Sequence, residues 1–350
     1  MKILSVVGTR PQFVKLAPIS QALAGRCEHV IVHTGQHYDE RMSDVFFADL
    51  GIPDPDVHLG IGSGSHGVQT GAMLAALDEV LDQHRADWVL VYGDTNSTLA
   101  AALAGVKLHL PVAHLEAGLR SFNRRMPEEH NRILTDHIAD LCLAPTEVAM
   151  RHLANEGLAS RSMLVGDVMT DVCLRVAGAV QDQPAPLPAG VNATDGYYLA
   201  TIHRAENTDD PTRLEAVISS LAELDHAVLL LAHPRLLASA QRHGLQLQKG
   251  AIVVGEPAPY PDLVRLVRGS RGVVTDSGGL QKEAFLLRVP CTTIRNETEW
   301  TETVDLGWNI LATDLEQLSA QVARPRPAAT NATPYGDGAA AQRVADLLLR

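Results

Sequence analysis

Short, continuous apolar runs rich in β-branched residues recur along this chain, separated by stretches of helical period. In the first half the runs lie at 3–7, 30–34, 88–92, 112–115 and 141–144, and in the second half at 197–202, 227–231, 252–254, 272–275 and 291–294. Strands that are apolar throughout, with helical stretches between them, are buried on both faces, which predicts parallel sheets covered by helices on each side. Helical period is clearest at 68–84 and at 97–106, where Ser97 stands ready to cap an Ala/Leu-rich body. After Gly166-Asp167-Val168 and one more helical stretch comes Pro184-Ala185-Pro186-Leu187-Pro188, a stiff extended segment, and then the alternation restarts. The pattern predicts two Rossmann-like α/β domains, over 1–170 and 171–335. Residues 336–350 form a last helix that packs back on the N-terminal domain to cover its leucines.

Length and composition fit this division. A chain of 350 residues exceeds what one core usually supports, and 46% apolar with 20% charged residues is the make-up of a globular enzyme. The net charge of −12 excludes a general affinity for nucleic acid or for anionic membranes, so an anionic ligand must meet local cations. Cys27, Cys142, Cys173 and Cys291 lie too far apart for a zinc site or a secreted disulfide framework. The opening residues read as a buried strand rather than a signal peptide, and no apolar run reaches the roughly 18 residues of a membrane span, which predicts a cytoplasmic protein.

In open parallel sheets ligands bind beyond the carboxyl ends of the strands, so polar residues that directly follow strands are the candidates. They form a coherent set: Gly8-Thr9-Arg10-Pro11, Thr34-Gly35-Gln36-His37, Gly93-Asp94-Thr95-Asn96 and Glu116-Ala117-Gly118 from the first half, and His203-Arg204, His233-Pro234-Arg235 and Asp276-Ser277-Gly278-Gly279 from the second. All are expected to face one interdomain cleft. Ser277, Gly278 and Gly279 open a helix, where backbone N–H groups and the helix dipole suit a diphosphate; a Ser-capped, tightly packed helix reads the same way. Glu283 is placed to reach a ribose diol, or else is a solvated helix residue. Arg10 and Lys15 supply positive charge from the other half. Asp94, Glu116 and Glu128 are three carboxylates from one domain, and close carboxylates push each other's proton affinities apart, which equips one as a base and another as an acid. The plainer alternatives are N-capping by Asp94 and an i, i+4 salt bridge from Glu128 to Arg132. His203 ends a strand beside Arg204, where it can bind a phosphate oxygen or relay a proton. Fifteen histidines show no tight ligand spacing, which argues against a metal. Gly62-Ser63-Gly64-Ser65-His66-Gly67 matches the dinucleotide fingerprint only formally, since no buried strand precedes it, and it reads as a loop rather than a nicotinamide site.

These motifs together with His114-Leu115-Glu116-Ala117-Gly118-Leu119-Arg120, Pro127-Glu128-Glu129-His130-Asn131-Arg132, His203-Arg204 with Glu206-Asn207, and Asp276-Ser277-Gly278-Gly279-Leu280-Gln281-Lys282-Glu283 resemble the non-hydrolysing UDP-N-acetylglucosamine 2-epimerases over essentially the whole chain. The resemblance implies a GT-B-type fold with the active site in the interdomain cleft, a homodimer, no cofactor, and a UDP-sugar substrate. It implies elimination of UDP across sugar carbons 1 and 2, leaving a 2-acetamidoglycal, followed by readdition with the proton on the opposite face. Carried onto this chain, Asp94, Glu116 and Glu128 are the acid/base carboxylates and His203 a catalytic or phosphate-binding histidine. Arg10, Lys15, Arg204, His233, Ser277, Gly278, Gly279 and Glu283 are then the substrate-binding residues. Two departures stand out. Glu299-Trp300-Thr301-Glu302 replaces the family's Glu-Arg-Pro-Glu and is similar to a branch acting on UDP-2,3-diacetamido-2,3-dideoxyglucuronic acid, whose extra carboxylate Arg124 and Arg125 are candidates to meet. Val68, where substrate-regulated members carry arginine, predicts no strict substrate activation.

Overall fold

The computed structural model describes residues 1–36 and 52–350. The chain divides into two compact units, one of residues 1–172 and 333–350, the other of residues 173–332. The seam falls between Val172 and Cys173, inside a helix, and the chain returns to the first unit at Thr333.

The first unit is built on seven parallel strands in the order β3-β2-β1-β4-β5-β6-β7. They are β1 (Lys2–Val7), β2 (Glu28–His33), β3 (Val57–His58), β4 (Trp88–Tyr92), β5 (Val112–Leu115), β6 (Leu141–Ala144) and β7 (Ser162–Leu164). Strand β1 runs in register with β2 on one side, Val7 beside His33, and with β4 on the other, Val6 beside Val91. The chain order reverses between β1 and β4, which makes the loops after these two strands the switch point where α/β sheets bind ligands. Its helices are α1 (Arg10–Leu23), α2 (His66–His84), α3 (Asn96–Lys107), α4 (Pro127–Ile138) and α5 (Glu147–Asn155); α6 (Val168–Ala179) carries the seam. The last helix of the chain, Ala340–Leu348, belongs to this unit: its Ala341, Val344 and Leu348 join Phe13, Leu16 and Leu23 of α1 in one buried cluster. Asp171 fixes its start by accepting from the N–H groups of Ala340 and Ala341 at 3.1 and 2.8 Å.

The second unit repeats the plan with six parallel strands in the order β10-β9-β8-β11-β12-β13: β8 (Tyr197–Thr201), β9 (Ala227–Leu231), β10 (Ile252–Gly255), β11 (Gly272–Thr275), β12 (Cys291–Thr293) and β13 (Asn309–Leu311). Its reversal lies between β8 and β11, where Thr201 pairs with Thr275. Both sheets being parallel and doubly wound, the α/β fold is the one the apolar runs predict.

The differences from the sequence reading have local causes. The cap of α3 is Thr95, whose side chain accepts from Thr98 N–H, while Ser97 lies buried inside the first turn and Asp94 caps nothing. Helix α2 begins at His66, so the formal glycine fingerprint is a loop only as far as its Ser65 N-cap. Strands β3, β7 and β13 escaped the pattern because two or three residues show no period. Among the described residues no helix is long and apolar enough to cross a membrane, and no group of three His, Cys, Asp or Glu could hold a metal ion. The four cysteines are unbridged.

Candidate active site

In the first unit the loops after β1, β4 and β5 bring the carboxylates together with cations. Strand β4 is followed by Gly93, which takes a φ of +62°. A Cβ there would stand 3.2 Å from Lys15 Nζ and 3.5 Å from Glu116 Oε1, so glycine serves both the turn and the close approach of an ion pair. That pair is Lys15 with Glu116, 2.5 Å apart and nearly buried, with side-chain exposures of 11% and 10%. Burial alone would lower the proton affinity of Lys15, but Glu116 and Asp94 more than reverse this and hold it above its ordinary value, so the ammonium is charged throughout the physiological range.

Asp94 is ion-paired with Arg132 of α4. Asn131, one residue earlier, donates its Nδ2–H to the Asp94 carbonyl at 2.9 Å. The i, i+4 bridge from Glu128 to Arg132 does not form. Arg132 turns to Asp94 and to Glu129, and the Glu129 carboxylate also accepts from the N–H groups of Ser121 and Phe122 at 2.9 Å each. Glu128 is left half-buried with no hydrogen-bond or ion-pair partner among the described residues. It lines a cavity of about 320 Å³ together with Lys15, Asp94, Gln36, His66 and Asn131. Gln12, also lining the cavity, braces this wall, accepting from Gly8 N–H at 2.8 Å and donating to the Tyr92 carbonyl at 2.8 Å. Arg10 opens α1, but the placement of its side chain lies outside what the structure describes, as does His37. Arg124 and Arg125 are exposed and do not line the cavity. Val68 is 70% exposed on the first turn of α2.

In the second unit Asp276 organises the ends of β8 and β11. Fully buried, it accepts from the N–H groups of His203 and Arg204 at 3.0 and 2.9 Å, from Asn207 Nδ2 at 3.1 Å, and pairs with His203 Nδ1 at 3.1 Å. Burial pushes its carboxyl up, but His203 and these donors hold it below the usual range. His233 stands beside His203, ring centres 5.5 Å apart, and caps the helix Pro234–His243 by accepting from Arg235 N–H at 3.1 Å. Ser277 caps the helix Gly278–Leu286, its Oγ accepting from Leu280 N–H at 3.4 Å. The N–H groups of Gly278 and Gly279 have no intrahelical acceptor, and a Cβ on Gly279 would meet nothing within 4 Å. At Gly278 a Cβ would fall 2.7 Å from Glu299 Oε1. Glu299 is held there by buried Arg295 at 3.1 Å. Glu283 lies buried on the same helix. Trp300 is 5% exposed, and Lys282 Nζ sits 3.9 Å above its ring, so a cation accompanies the residue that lacks one.

Sequence reasoning thus collected the strand-end residues but missed Asp276 as their organiser, Arg132 as the partner of Asp94, and Gln12. The spacing of Glu128, Asn131 and Arg132 on one helix face was the available signal for the second. Asp276 yields a prediction. A carboxyl held low contributes stability that is present above its unfolded value, about pH 3.9, and is lost as the pH falls through its folded value. Asp276→Asn should therefore cost about 2–3 kcal/mol near neutrality. Thermal unfolding followed by circular dichroism checks this, the gap to the native protein being wide at pH 7 and closing below about pH 4.

The sequence pattern that defines the UDP-N-acetylglucosamine 2-epimerase family matches residues 21–349. The UDP-2,3-diacetamido-2,3-dideoxy-D-glucuronate 2-epimerase of Pseudomonas aeruginosa is 46% identical over the full length of both chains. The UDP-N-acetylglucosamine 2-epimerase of Methanocaldococcus jannaschii is 40% identical over 99% of each. The crystal structure of the M. jannaschii UDP-GlcNAc 2-epimerase in complex with UDP-GlcNAc and UDP superposes with a TM-score of 0.88 at 39% identity, covering 99% of both chains. With these matches over its whole length, the chain belongs to the UDP-N-acetylglucosamine 2-epimerase family.

Proposed function

We propose that the protein is a non-hydrolysing 2-epimerase that interconverts UDP-N-acetylglucosamine and UDP-N-acetylmannosamine by eliminating UDP and adding it back to a 2-acetamidoglycal. The observation that carries this reading is the carboxylate set of the first unit: Asp94 and Glu116 each paired to a cation, with Glu128, unpartnered among the described residues, on the same cavity wall as Asp94. Epimerisation at carbon 2 requires a proton to leave one face and return to the other, hence more than one acid/base group around one carbon. Arg132 and Lys15 hold the Asp94 and Glu116 carboxylates in place by ion pairing. Glu128, without a hydrogen-bond or ion-pair partner among the described residues, is the group we assign to exchange a proton with the sugar.

The departing diphosphate needs positive charge and N–H donors. Arg10, Lys15, Arg204, His203, His233 and the Ser277-Gly278-Gly279 helix start are the groups we assign to it, and Glu283 to the ribose. Elimination and readdition leave no net oxidation, so no cofactor is called for. The cytoplasmic location expected from the sequence pattern, and the homodimer that the resemblance implies, belong to the same reading.

A second substrate is favoured by one comparison: the P. aeruginosa relative, 46% identical, bears the name of a diacetamido-glucuronate epimerase. Turnover of both UDP-sugars by one purified preparation decides between them. A kcat/KM for UDP-N-acetylglucosamine above that for the uronate supports the first reading, and a ratio reversed by more than about tenfold, some 1.4 kcal/mol of discrimination, replaces it by the second.

A further inference from the structure

Both turns that carry the proposed acid/base groups leave their strands through left-handed backbone: Gly93 at φ +62°, Glu116 at +73° and Gly118 at +82°. For Glu116 this is a conformation that L residues rarely keep unless their surroundings enforce it. Behind the two turns lies a cluster that no step of the proposed reaction uses. His114, Asp136 and Arg120 have side chains at most 1% exposed, and none of them lines the cavity. His114 Nε2 lies 2.7 Å from the Gly93 carbonyl and its Nδ1 2.7 Å from Asp136 Oδ1. Asp136 Oδ2 in turn accepts from Gly118 N–H at 3.0 Å and is ion-paired with Arg120 Nη1 at 2.8 Å. Arg120 is anchored at its far side by Glu156, at 2.8 and 2.7 Å.

A carbonyl oxygen only accepts, so the ring donates Nε2–H to Gly93. The short contact between Nδ1 and Oδ1 then holds a second proton between ring and carboxylate. Although burial pushes the Asp136 carboxyl up, His114 and Arg120 hold it below its ordinary range. We propose that the Asp136–His114 pair is a positioning clamp. One end sets the turn that presents Asp94 and the other sets the turn that presents Glu116, so the pair fixes the separation of two acid/base carboxylates without touching substrate. His152, donating its Nδ1–H to the Gly118 carbonyl at 3.0 Å, steadies the same turn.

This inference rests on the epimerase reading. Its test measures kcat per UDP-binding site, by titration calorimetry with UDP, for Asp136→Asn, His114→Gln and the double variant. Misplacing reacting groups by about 1 Å costs on the order of 100-fold, so each single variant should lose about 30- to 100-fold in kcat while UDP affinity and KM stay within about twofold. Because the two side chains act as one unit, the double variant should fall no further than the worse single one. A kcat per binding site within about threefold of native in either single variant, or losses that multiply in the double, overturns the clamp. His114→Gln retains a donor toward Gly93 and carries the test should Asp136→Asn not fold. Absence of epimerisation in the unsubstituted protein would instead remove the reading on which the clamp rests, and is seen before any variant is made.

Discussion

Asp94→Asn should lower kcat by about three orders of magnitude and leave UDP affinity nearly unchanged. An amide keeps the volume and one acceptor toward Arg132, so the wall of the cavity survives, but it neither takes a proton from carbon nor returns one. General acid/base groups contribute about 10²- to 10⁴-fold, and the expected loss lies in the middle of that range; the ion pair with Arg132 holds the carboxylate in one place. The phosphate-binding residues we assign in the second unit are untouched by the change, so the loss belongs in kcat rather than in binding. Steady-state rates with calorimetric UDP affinity check it; a variant within about tenfold of native would take Asp94 out of the reaction.

Lys15→Met has the second large effect, and it shows in stability as well as rate. Lys15 and Glu116 are 2.5 Å apart with about a tenth of each side chain exposed. Removing one member of such a pair strands the other charge and costs about 3–5 kcal/mol, whereas replacing both by neutral groups is much milder. The pH dependence has a definite sign. The folded-state proton affinity of Lys15 is raised, so its contribution is complete below the unfolded lysine value near pH 10.4 and fades only as the pH climbs through the folded one. Between pH 5 and 9 the penalty in Lys15→Met should therefore be flat as far as lysine titration is concerned. Thermal unfolding of Lys15→Met, Glu116→Gln and the double variant checks this. Recovery of stability in the double variant is expected, and simple addition of the two losses would show that the pair is not coupled.

The fold was legible because its strands are buried on both faces. Runs such as Trp88–Tyr92 and Ala227–Leu231 are apolar from end to end and stop where the strands stop. Strand-end logic then gathered Asp94, Glu116, His203 and Ser277 without any knowledge of pairing, because a parallel sheet places all its carboxyl ends at one side. What the sequence concealed are the partnerships made across elements. Arg132 is four residues from Glu128 on one helix, which is the local choice, yet its guanidinium finds Asp94 on a loop 38 positions earlier. Asp276 sits in a motif whose serine and glycines draw notice, and its work of holding two N–H groups of the β8 loop depends on β8 and β11 being neighbours. His114 occupies a strand position that reads as core, and its two ring bonds exist only because β4 and α4 flank β5. A side chain with several possible partners is decided by tertiary placement, and one strand or helix cannot reveal that choice.

In the proposed reaction, carbon 2 of a UDP-sugar loses its proton and regains one on the opposite face within this protein. Proton NMR of the purified protein with UDP-N-acetylglucosamine in deuterium oxide tests it most directly, by following the anomeric signals and the carbon-2 proton together. A growing UDP-N-acetylmannosamine signal with deuterium at carbon 2 of the product is expected. UDP bound with its usual affinity while neither this sugar nor the diacetamido-uronate exchanges its carbon-2 proton would contradict it.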